Sequence, residues 1–342
     1  MTVVVMPAYE PDGHMIETVS ALHDAGLDVL VVDDGSGAEY GNVFAKLDGM
    51  AKVIGYEKNR GKGSALKFAF SRLKEIYPEC TGFITADCDG QHRPADILKV
   101  RDELDKGANI VLTVRRMHGK IPARSKFGNN LSKFIYTLLT GHYFSDNQSG
   151  LRGFSESNLS WLTLVEGDRY DYEMNVLYYA DKQLIPITTM QIETIYIDGN
   201  KSSHFSPVRD TVRIYKSLFS SAAATFSAAV VCEIVILLSS LFFPQYTYFT
   251  VPTAGALSAL VNILMNKYLI FRHIKYRDGF RMIINSILRF GVFTALCMLC
   301  AAWFPGLSLF WSFNLVVVIS SPFEYLIRKG IHSSQYRDIN KE

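Results

Sequence analysis

Two aspartates lie one residue apart at the end of an apolar run, in the sequence FITADCDGQHRP that covers residues 83–94. The carboxylates of Asp87 and Asp89 repel each other if they lie on the same side of the chain. Burying both is costly unless a cation or hydrogen bonds compensate the charge. What such a pair binds depends on the elements that position it.

Two further polar segments follow apolar runs nearer the N-terminus. Tyr9 and Glu10 follow the first run, and the segment DDGS at residues 33–36 follows the second. Each segment alone is typical of a turn or a helix cap. Three acidic clusters at successive strand ends instead indicate one shared site, for a ligand that carries a cation or ribose hydroxyls.

Apolar, strand-like runs alternate with helical stretches through the N-terminal part. The runs are TVVVMPAY, DVLVVDDGS, KVIGYE, GFITADCD and NIVLTVRR, and the helical stretches include His14–Ala25 and Ser64–Ile76. This alternation predicts an α/β, Rossmann-like domain with a mainly parallel sheet and helices on both faces. In such sheets ligands bind beyond the carboxyl ends of the strands, which is where the acidic clusters fall.

A basic, glycine-rich turn follows the third run, in the sequence NRGKGSALKFAF. Asn59, Gly61, Lys62 and Gly63 precede a helix predicted to open at Ser64. Glycine turns and helix N-termini suit phosphate oxygens. The spacing is not that of a Walker A motif, so the turn alone is a weak signal.

The composition divides the 342 residues into two parts. Residues up to about Ser221 have the composition of a soluble α/β protein, whereas the chain from Ala222 onward is strongly apolar. A formal net charge of +2 argues against a nucleic-acid-binding protein, which is usually strongly basic. The five cysteines form neither a disulfide framework nor a zinc-binding spacing.

Four apolar segments of the second part each have close to the ~20 residues that a membrane-spanning helix needs. Lys and Arg gather in RHIKYRDGFR and in the C-terminal tail, so they fall on one side of the predicted membrane. No signal peptide is apparent. We therefore expect a multi-pass plasma-membrane protein whose N-terminal domain and both termini are cytoplasmic, with spans at Ala222–Phe243, Thr250–Phe271, Ile283–Trp303 and Leu307–Ile327.

Polar residues interrupt these predicted spans and define a predicted membrane polar site, formed by Glu233, Asn262, Lys267 and Arg289. Lys267 lies close enough to the cytoplasmic interface to snorkel. Glu233 lies mid-span, where an ionisable group is costly. It either pairs with Arg289 or Lys267 to hold the bundle together, or lines a polar path. The amphipathic stretch before the first span is either a helix in the membrane interface or an ordinary linker helix.

The motifs PAYEP, VVDDGS, NRGKGSAL and TADCDGQH occur in the order and approximate spacing of family-2 glycosyltransferases with a GT-A fold. The later motifs DNQSGLRGF, YDYEMNVL and IETIYIDGNKSSHF resemble the branch that makes polyprenyl-phosphate (dolichyl-phosphate) hexoses. This resemblance covers roughly residues 3–219. The apolar part, with ALVNILMNKYLIF, resembles GtrA-type four-helix proteins. We therefore expect a GT-A domain at 1–204, an interfacial helix or linker at 205–221, a four-span domain at 222–330 and a cytoplasmic tail at 331–342.

The resemblance implies a role for each acidic cluster. In this family the DxD pair acts with a divalent cation, Mg²⁺ or Mn²⁺, which bridges the diphosphate of a nucleotide sugar. Asp87 and Asp89 fit that role, and Gln91 lies where this branch often supplies a further ligand. By the same resemblance Lys62 approaches the base or phosphates of the nucleotide, and the nucleoside is held by Pro7, Tyr9, Glu10, Asp33 and Asp34.

The resemblance also assigns the later motifs. Asp146 matches a position near the transferred sugar, and Glu173 is a sugar-hydroxyl ligand or a structural brace. Arg152 contacts a phosphate or braces Asp146. We assign Arg115 and Arg124 to the acceptor phosphate, because arginine matches phosphate geometry. Three neighbouring basic residues could instead form a solvated face, or a face that binds anionic lipid headgroups. They are Arg116, Lys120 and Lys126.

These assignments predict a metal-dependent, inverting enzyme that transfers one hexose from a UDP- or GDP-hexose to a polyprenyl phosphate, with Asp89, Asp146, Arg115 and Arg124 as its catalytic residues. The lipid would be undecaprenyl phosphate in a bacterium. The four-span domain either translocates the product or only anchors and oligomerises the enzyme.

The alternative activity is that of a glycolipid synthase, which transfers the sugar to a lipid hydroxyl. Such an acceptor needs a general base, and Asp146 is the candidate. A non-enzymatic sugar-lipid-binding protein is the third reading.

Overall fold

The computed structural model describes residues 1–116, 143–193, 227–243 except 229, 247–269 and 336–338, with ten single positions: 133, 136, 137, 291, 295, 296, 298, 299, 302 and 303. The chain forms two compact units. The first combines Met1–Tyr215 with His332–Glu342, and the second is Lys216–Ile331. The C-terminal tail therefore belongs to the same unit as the N-terminal residues.

Strands and helices alternate through the first unit as the sequence predicts. The strands are β1 (Thr2–Ala8), β2 (Asp28–Asp34), β3 (Lys52–Tyr56), β4 (Gly82–Thr85), β5 (Ile110–Arg116), β6 (Arg152–Ser155), β7 (Ile187–Glu193) and β8 (Tyr336–Asp338). The α-helices are α1 (Gly13–Asp24), α2 (Gly41–Ala45), α3 (Lys62–Ile76), α4 (Pro94–Asp105), α5 (Leu159–Leu162) and α6 (Asp171–Lys182). Short 3₁₀ turns cover Ala38–Tyr40 and Glu156–Asn158.

The strands of the described residues form one mixed sheet in the order β3-β2-β1-β4-β6-β5-β7-β8. Strand β6 runs antiparallel to β4 and β5, and the other neighbouring pairs are parallel. The predicted mainly parallel α/β domain is therefore confirmed, and each of the five predicted runs forms a strand. Strands β6, β7 and β8 lie outside those runs.

The core lies on both faces of the sheet, because β1 is buried along its whole length. Val4 and Met6 of β1 pack in one cluster with Met15 and Val19 of α1. Helix α3 contacts β1 and β2, and its Phe70 packs on the strand residue Phe83 with ring centroids 4.9 Å apart. A strand covered on both faces reads as a continuous apolar run, which explains the sequence TVVVM.

The second unit is described in two helical segments, α7 (residues 230–242) and α8 (Thr247–Leu269). Ser258 of α8 donates a hydrogen bond from its hydroxyl to the Ala228 carbonyl at 2.8 Å. None of the helices in the described ranges is both long and apolar enough to cross a bilayer. The predicted spans 283–303 and 307–327 and the predicted interfacial segment 205–221 lie almost wholly outside those ranges, so the four-span domain stays a prediction.

The predicted membrane polar site is described only in part. Glu233 lies on α7 and is partly exposed. Asn262 and Lys267 lie on α8, but their side chains, like Arg289 as a whole, are outside what the structure describes. The pairings predicted for Glu233 therefore stay predictions.

Candidate active site

A cleft of about 510 Å³ opens at the carboxyl ends of β1, β2 and β4. The three acidic clusters meet there because the carboxyl ends of parallel strands share one edge of the sheet. The structure thus brings together seven residues that the sequence assigns to donor or metal binding. They are Pro7, Tyr9, Glu10, Asp34, Lys62, Asp87 and Asp89.

The end of β1 shapes one wall of the cleft. Glu10 has a φ of 49°. This left-handed conformation is uncommon for residues other than glycine and is found more often at ligand sites. The Glu10 N–H donates to Ser36 Oγ at 3.0 Å, and the Ser36 N–H donates to Asp33 Oδ1 at 2.8 Å. A hydrogen bond with Glu10, together with burial, raises the pKa of Tyr9. Asp33 therefore holds the turn that positions Glu10.

Asp34 anchors the glycine-rich loop, which we define as residues 59–63 (NRGKG). Its carboxylate accepts hydrogen bonds from the N–H of Arg60 at 2.8 Å and of Gly61 at 2.9 Å. It also accepts from the Tyr56 hydroxyl at 2.6 Å and from Asn59 Nδ2 at 3.1 Å. Asp34 is only 3% exposed, so its contacts in this structure are with the loop, and its predicted contact with a nucleoside stays a prediction.

Lys62 joins two carboxylates at the base of the cleft. It is the first residue of α3, and the preceding Gly61 has a φ of 100°, a value that side chains rarely adopt. Lys62 Nζ lies 2.6 Å from Asp87 Oδ1 and 2.9 Å from Glu173 Oε1, although the second contact lacks hydrogen-bond geometry. Burial would lower the pKa of Lys62, but Asp87 and Glu173 raise it above its ordinary value. The ammonium group therefore stays charged.

Asp87 and Asp89 differ in their surroundings. Burial would raise the pKa of Asp87, but Lys62 and His92 hold it below its ordinary range; His92 Nε2 lies 3.4 Å from Asp87 Oδ2. Burial and the charge of Asp87 raise the pKa of Asp89. Asp89 Oδ1 accepts the backbone N–H of Gln91 at 3.0 Å. Nothing in these contacts tests the Gln91 side chain as a metal ligand, so that role stays a prediction.

The donor set fits a divalent cation that takes its other ligands from a diphosphate and water. Within the described ranges no group of three His, Cys, Asp or Glu side chains could enclose a metal ion. Two carboxylates that line one cleft are nevertheless what Mg²⁺ typically takes from a protein when substrate phosphates supply further oxygens. Asp87 and Asp89 are the residues that would hold such an ion.

Arg115 and Asp146 form a pair at the end of β5. Arg115 Nε donates to Asp146 Oδ2 at 2.6 Å and Nη2 donates to Oδ1 at 3.2 Å. Burial would raise the pKa of Asp146, but the Arg115 guanidinium and the Gln148 N–H hold it below its usual range. The predicted acceptor-phosphate contact of Arg115 stays a prediction, and in this structure Arg115 binds a carboxylate.

Arg152 is a buried arginine whose partners are backbone carbonyls. Its side chain is 2% exposed, and its guanidinium donates to the carbonyls of Ser149 at 2.9 Å, Glu173 at 2.6 Å and Asn147 at 3.3 Å. The predicted contact of Arg152 with a phosphate stays a prediction, and in this structure its guanidinium binds backbone carbonyls. Arg152 braces the backbone of residues 147–149 and the start of α6, which carries Glu173.

Several residues that the sequence assigned to the site lie outside the residues that the structure describes. Two residues of the cleft wall were not assigned from the sequence. Arg124, Lys120, Lys126 and the side chain of Arg116 are not described. The structure adds Arg169 and Tyr170 to the cleft wall, with Arg169 Nη2 donating to Asn59 Oδ1 at 3.3 Å. Only their position could have indicated a role in the site, because Arg169 directly precedes the motif YDYEMNVL and Tyr170 is its first residue.

The comparisons with known proteins agree with this geometry. The model of the family described as "Glycosyl transferase family 2" matches residues 3–160. An uncharacterized protein of Methanocaldococcus jannaschii is 32% identical over 206 residues, which are 58% of this chain and 83% of that protein. The UDP-N-acetylglucosamine--dolichyl-phosphate N-acetylglucosaminyltransferase of Methanococcus voltae is 30% identical over 217 residues, or 57% of this chain and 86% of that enzyme.

A third relative has a polyprenol in its name. The polyprenol monophosphomannose synthase of Mycolicibacterium smegmatis is 26% identical over 196 residues, which cover 52% of this chain and 71% of that enzyme. All three alignments leave roughly half of the present chain unmatched. With the family match over residues 3–160 and two relatives at 30% identity or more, of which this chain covers 83% and 86%, the chain belongs to glycosyl transferase family 2.

Proposed function

We propose that this protein transfers a single sugar from a nucleotide sugar to a polyprenyl phosphate, with inversion at the anomeric carbon. The observation that carries this proposal is the cleft itself. It places the Asp87–Asp89 pair, the Lys62 ammonium and the glycine-rich loop at one edge of the sheet. Those groups suit a diphosphate with its cation, and two relatives are named for lipid-phosphate acceptors.

The donor side follows from the charges in the cleft. A bound Mg²⁺ or Mn²⁺ would neutralise the charge that develops on the leaving nucleoside diphosphate. Asp87 and Asp89 would hold that ion, and the Lys62 ammonium group supplies a further positive charge for the diphosphate. Asp34 keeps the glycine-rich loop in place by accepting the backbone N–H groups of Arg60 and Gly61.

The acceptor side favours a lipid phosphate over a lipid hydroxyl. A hydroxyl acceptor needs a general base, and an efficient base has a pKa near the working pH. The candidate base, Asp146, is bound at both oxygens by Arg115, which holds its pKa below the usual range. A phosphate is already anionic, so no proton has to be removed. The pairing of Asp146 therefore weakens the glycolipid-synthase alternative.

The second unit is proposed to hold the enzyme at the plasma membrane through four spans, with the catalytic unit on the cytoplasmic side. The apolar composition after residue 222 and the distribution of Lys and Arg support this proposal. Its resemblance to GtrA-type proteins supports either translocation of the lipid-linked sugar or simple anchoring and oligomerisation.

One assay tests the proposed reaction. Purified full-length protein is incubated with undecaprenyl phosphate and Mg²⁺ or Mn²⁺, and UDP-glucose, UDP-galactose, UDP-N-acetylglucosamine and GDP-mannose are offered separately. We expect a sugar-bearing lipid phosphate, detected by mass, with one donor and none in the presence of EDTA. Product from diacylglycerol or ceramide, with none from the lipid phosphate, would establish the glycolipid alternative instead.

Gly150 is expected to be essential for the spacing within the site. An added Cβ would fall against Asp87 Oδ2 and 2.9 Å from Lys62 Nζ, while the Gly150 carbonyl is fixed by a hydrogen bond from the Thr85 hydroxyl at 2.9 Å. Gly150→Ala should therefore displace the Asp87 carboxylate and the Lys62 ammonium group from their observed positions and lower sugar transfer between roughly tenfold and a hundredfold. Initial rates at saturating donor measure the effect.

Gly41 supplies the matched control. A Cβ there meets no atom within 4 Å, so Gly41→Ala should keep the wild-type rate. Equal rates for the two variants would show that the close approach at Gly150 has no part in the reaction.

A further inference from the structure

We propose that Lys62 occupies Asp87 until a nucleotide arrives, and that the nucleotide diphosphate draws Lys62 away, so that nucleotide and divalent cation bind cooperatively. This inference rests on the proposed function and adds to it a residue that controls the order in which the site is filled. Lys62 acts here as a positioning residue, because it acts through Asp87.

The contacts of Asp87 leave little room for a cation beside Lys62. One carboxylate oxygen, Oδ1, lies 2.6 Å from Lys62 Nζ. The other, Oδ2, faces His92 Nε2 at 3.4 Å and the backbone at Gly150, where even a methyl group would collide. Only 13% of the Lys62 side chain is exposed, so water screens its charge poorly. A divalent cation that binds Asp87 in this arrangement is repelled by the ammonium group.

Glu173 gives Lys62 a second position close by. Its Oε1 lies 2.9 Å from Lys62 Nζ, and its side chain is only 9% exposed. Glu173 is the third residue of α6, and its backbone carbonyl accepts the Arg152 Nη1–H at 2.6 Å. The backbone of Glu173 is thus anchored, and its carboxylate lies within reach of the flexible lysine stem. A small rotation of that stem exchanges Asp87 for Glu173 as the closer partner.

A nucleotide diphosphate supplies the force for this exchange. Its negative charges attract the ammonium group away from Asp87 and free a carboxylate oxygen for the cation. Because coupling between two ligands is reciprocal, the cation must then also tighten nucleotide binding. The wild-type protein should bind Mn²⁺ weakly alone and more tightly with nucleotide.

The test measures Mn²⁺ binding, without any sugar transfer. Free Mn²⁺ is followed by electron paramagnetic resonance during titration of the full-length protein, without nucleotide and with saturating UDP or GDP in separate titrations. We expect Lys62→Gln to tighten Mn²⁺ binding in the absence of nucleotide about tenfold, and to shrink the gain produced by nucleotide by a similar factor. Glu173→Gln should weaken Mn²⁺ binding in the absence of nucleotide, because of its two carboxylate partners Lys62 then keeps only Asp87.

Lys67→Gln is the matched control for loss of one positive charge. Lys67 lies on the same helix and pairs with Asp168 at 3.0 Å, so this variant should keep the wild-type Mn²⁺ affinity and nucleotide gain. If Lys62→Gln proves unfolded by its thermal transition, the Glu173→Gln titration decides. Glu173→Gln then supports the inference if Mn²⁺ binding weakens without nucleotide, and overturns it if binding is unchanged or tighter.

Two failures can be told apart in this design. Wild-type Mn²⁺ binding that tightens with nucleotide, but is the same in Lys62→Gln, overturns the role of Lys62 and leaves the proposed function intact. Absence of Mn²⁺ binding in every variant, even with UDP and GDP, overturns the metal-dependent function and this inference with it.

Discussion

Replacing Asp89 by alanine is expected to lower sugar transfer roughly a thousandfold, the loss typical when a group that stabilises transition-state charge is removed. The Asp89 carboxylate lines the cleft and accepts the backbone N–H of Gln91. That single local contact contributes little to the fold, so the cost should fall on the reaction. The rate of formation of sugar-bearing lipid phosphate measures the effect.

Asp102 provides the comparison for Asp89. It is a surface residue of α4 whose carboxylate pairs with the adjacent Arg101 at 2.7 Å. Asp102→Ala should keep the wild-type rate, because it removes a carboxylate that does not line the cleft. An Asp89→Ala enzyme that retains more than a tenth of the wild-type rate with an unchanged EDTA sensitivity would show that another residue holds the cation.

Replacing Arg152 by methionine is expected to destabilise the first unit by about 3 kcal/mol, which for a unit of this size lowers the thermal midpoint by roughly 6–12 °C. Methionine fills part of the apolar volume of the side chain, but it leaves the carbonyls of Asn147, Ser149 and Glu173 without their buried donor. Removing a buried charge relieves its desolvation cost. The unpaired carbonyls outweigh that relief, because each buried acceptor left unsatisfied costs about 1–3 kcal/mol.

Arg101→Met tests whether loss of any arginine has this effect. Arg101 lies on α4 with 32% of its side chain exposed, and surface substitutions usually change stability by less than about 0.5 kcal/mol. Thermal unfolding of both variants in the same buffer gives the difference. Equal midpoints would show that the carbonyls around Arg152 find other donors, and that the brace is dispensable.

The sequence predicts the frame of the site because its signals are local. Each of the five predicted apolar runs forms a strand. One cleft at the carboxyl ends of β1, β2 and β4 is lined by Glu10, Asp34, Asp87 and Asp89. The motif NRGKG marks the start of α3, although the helix begins at Lys62 rather than at Ser64. These features follow from residue types that lie side by side in the chain.

The side-chain partners could not be predicted in the same way. Lys62 pairs with Asp87 and Glu173, and Arg115 pairs with an aspartate 31 residues away. Such pairs depend on how β6 and α6 pack beside β4, which no local pattern encodes. The partners of Asp34 could not be predicted either. An aspartate at the end of a strand gives the same sequence pattern whether it binds a ligand or the backbone N–H groups of a loop. For Arg152 the motif left a phosphate contact and a bracing role open, and only the structure shows that its donors bind backbone carbonyls inside the domain.

The pairing of β8 with β7 has a consequence for the order in which the protein is made. Tyr336 lies opposite Ile187 in a parallel register, so this strand of the sheet leaves the ribosome only after the second unit, Lys216–Ile331, has been made. Until then β7 presents unpaired N–H and C=O groups along one edge, and such an edge readily accepts a foreign strand. The whole second unit is synthesised during this interval, so a nascent chain must protect an open sheet edge throughout. A protein shortened before residue 336 lacks the strand that pairs with Ile187, Thr188 and Thr189, so we expect it to associate more readily with neighbouring chains along this edge.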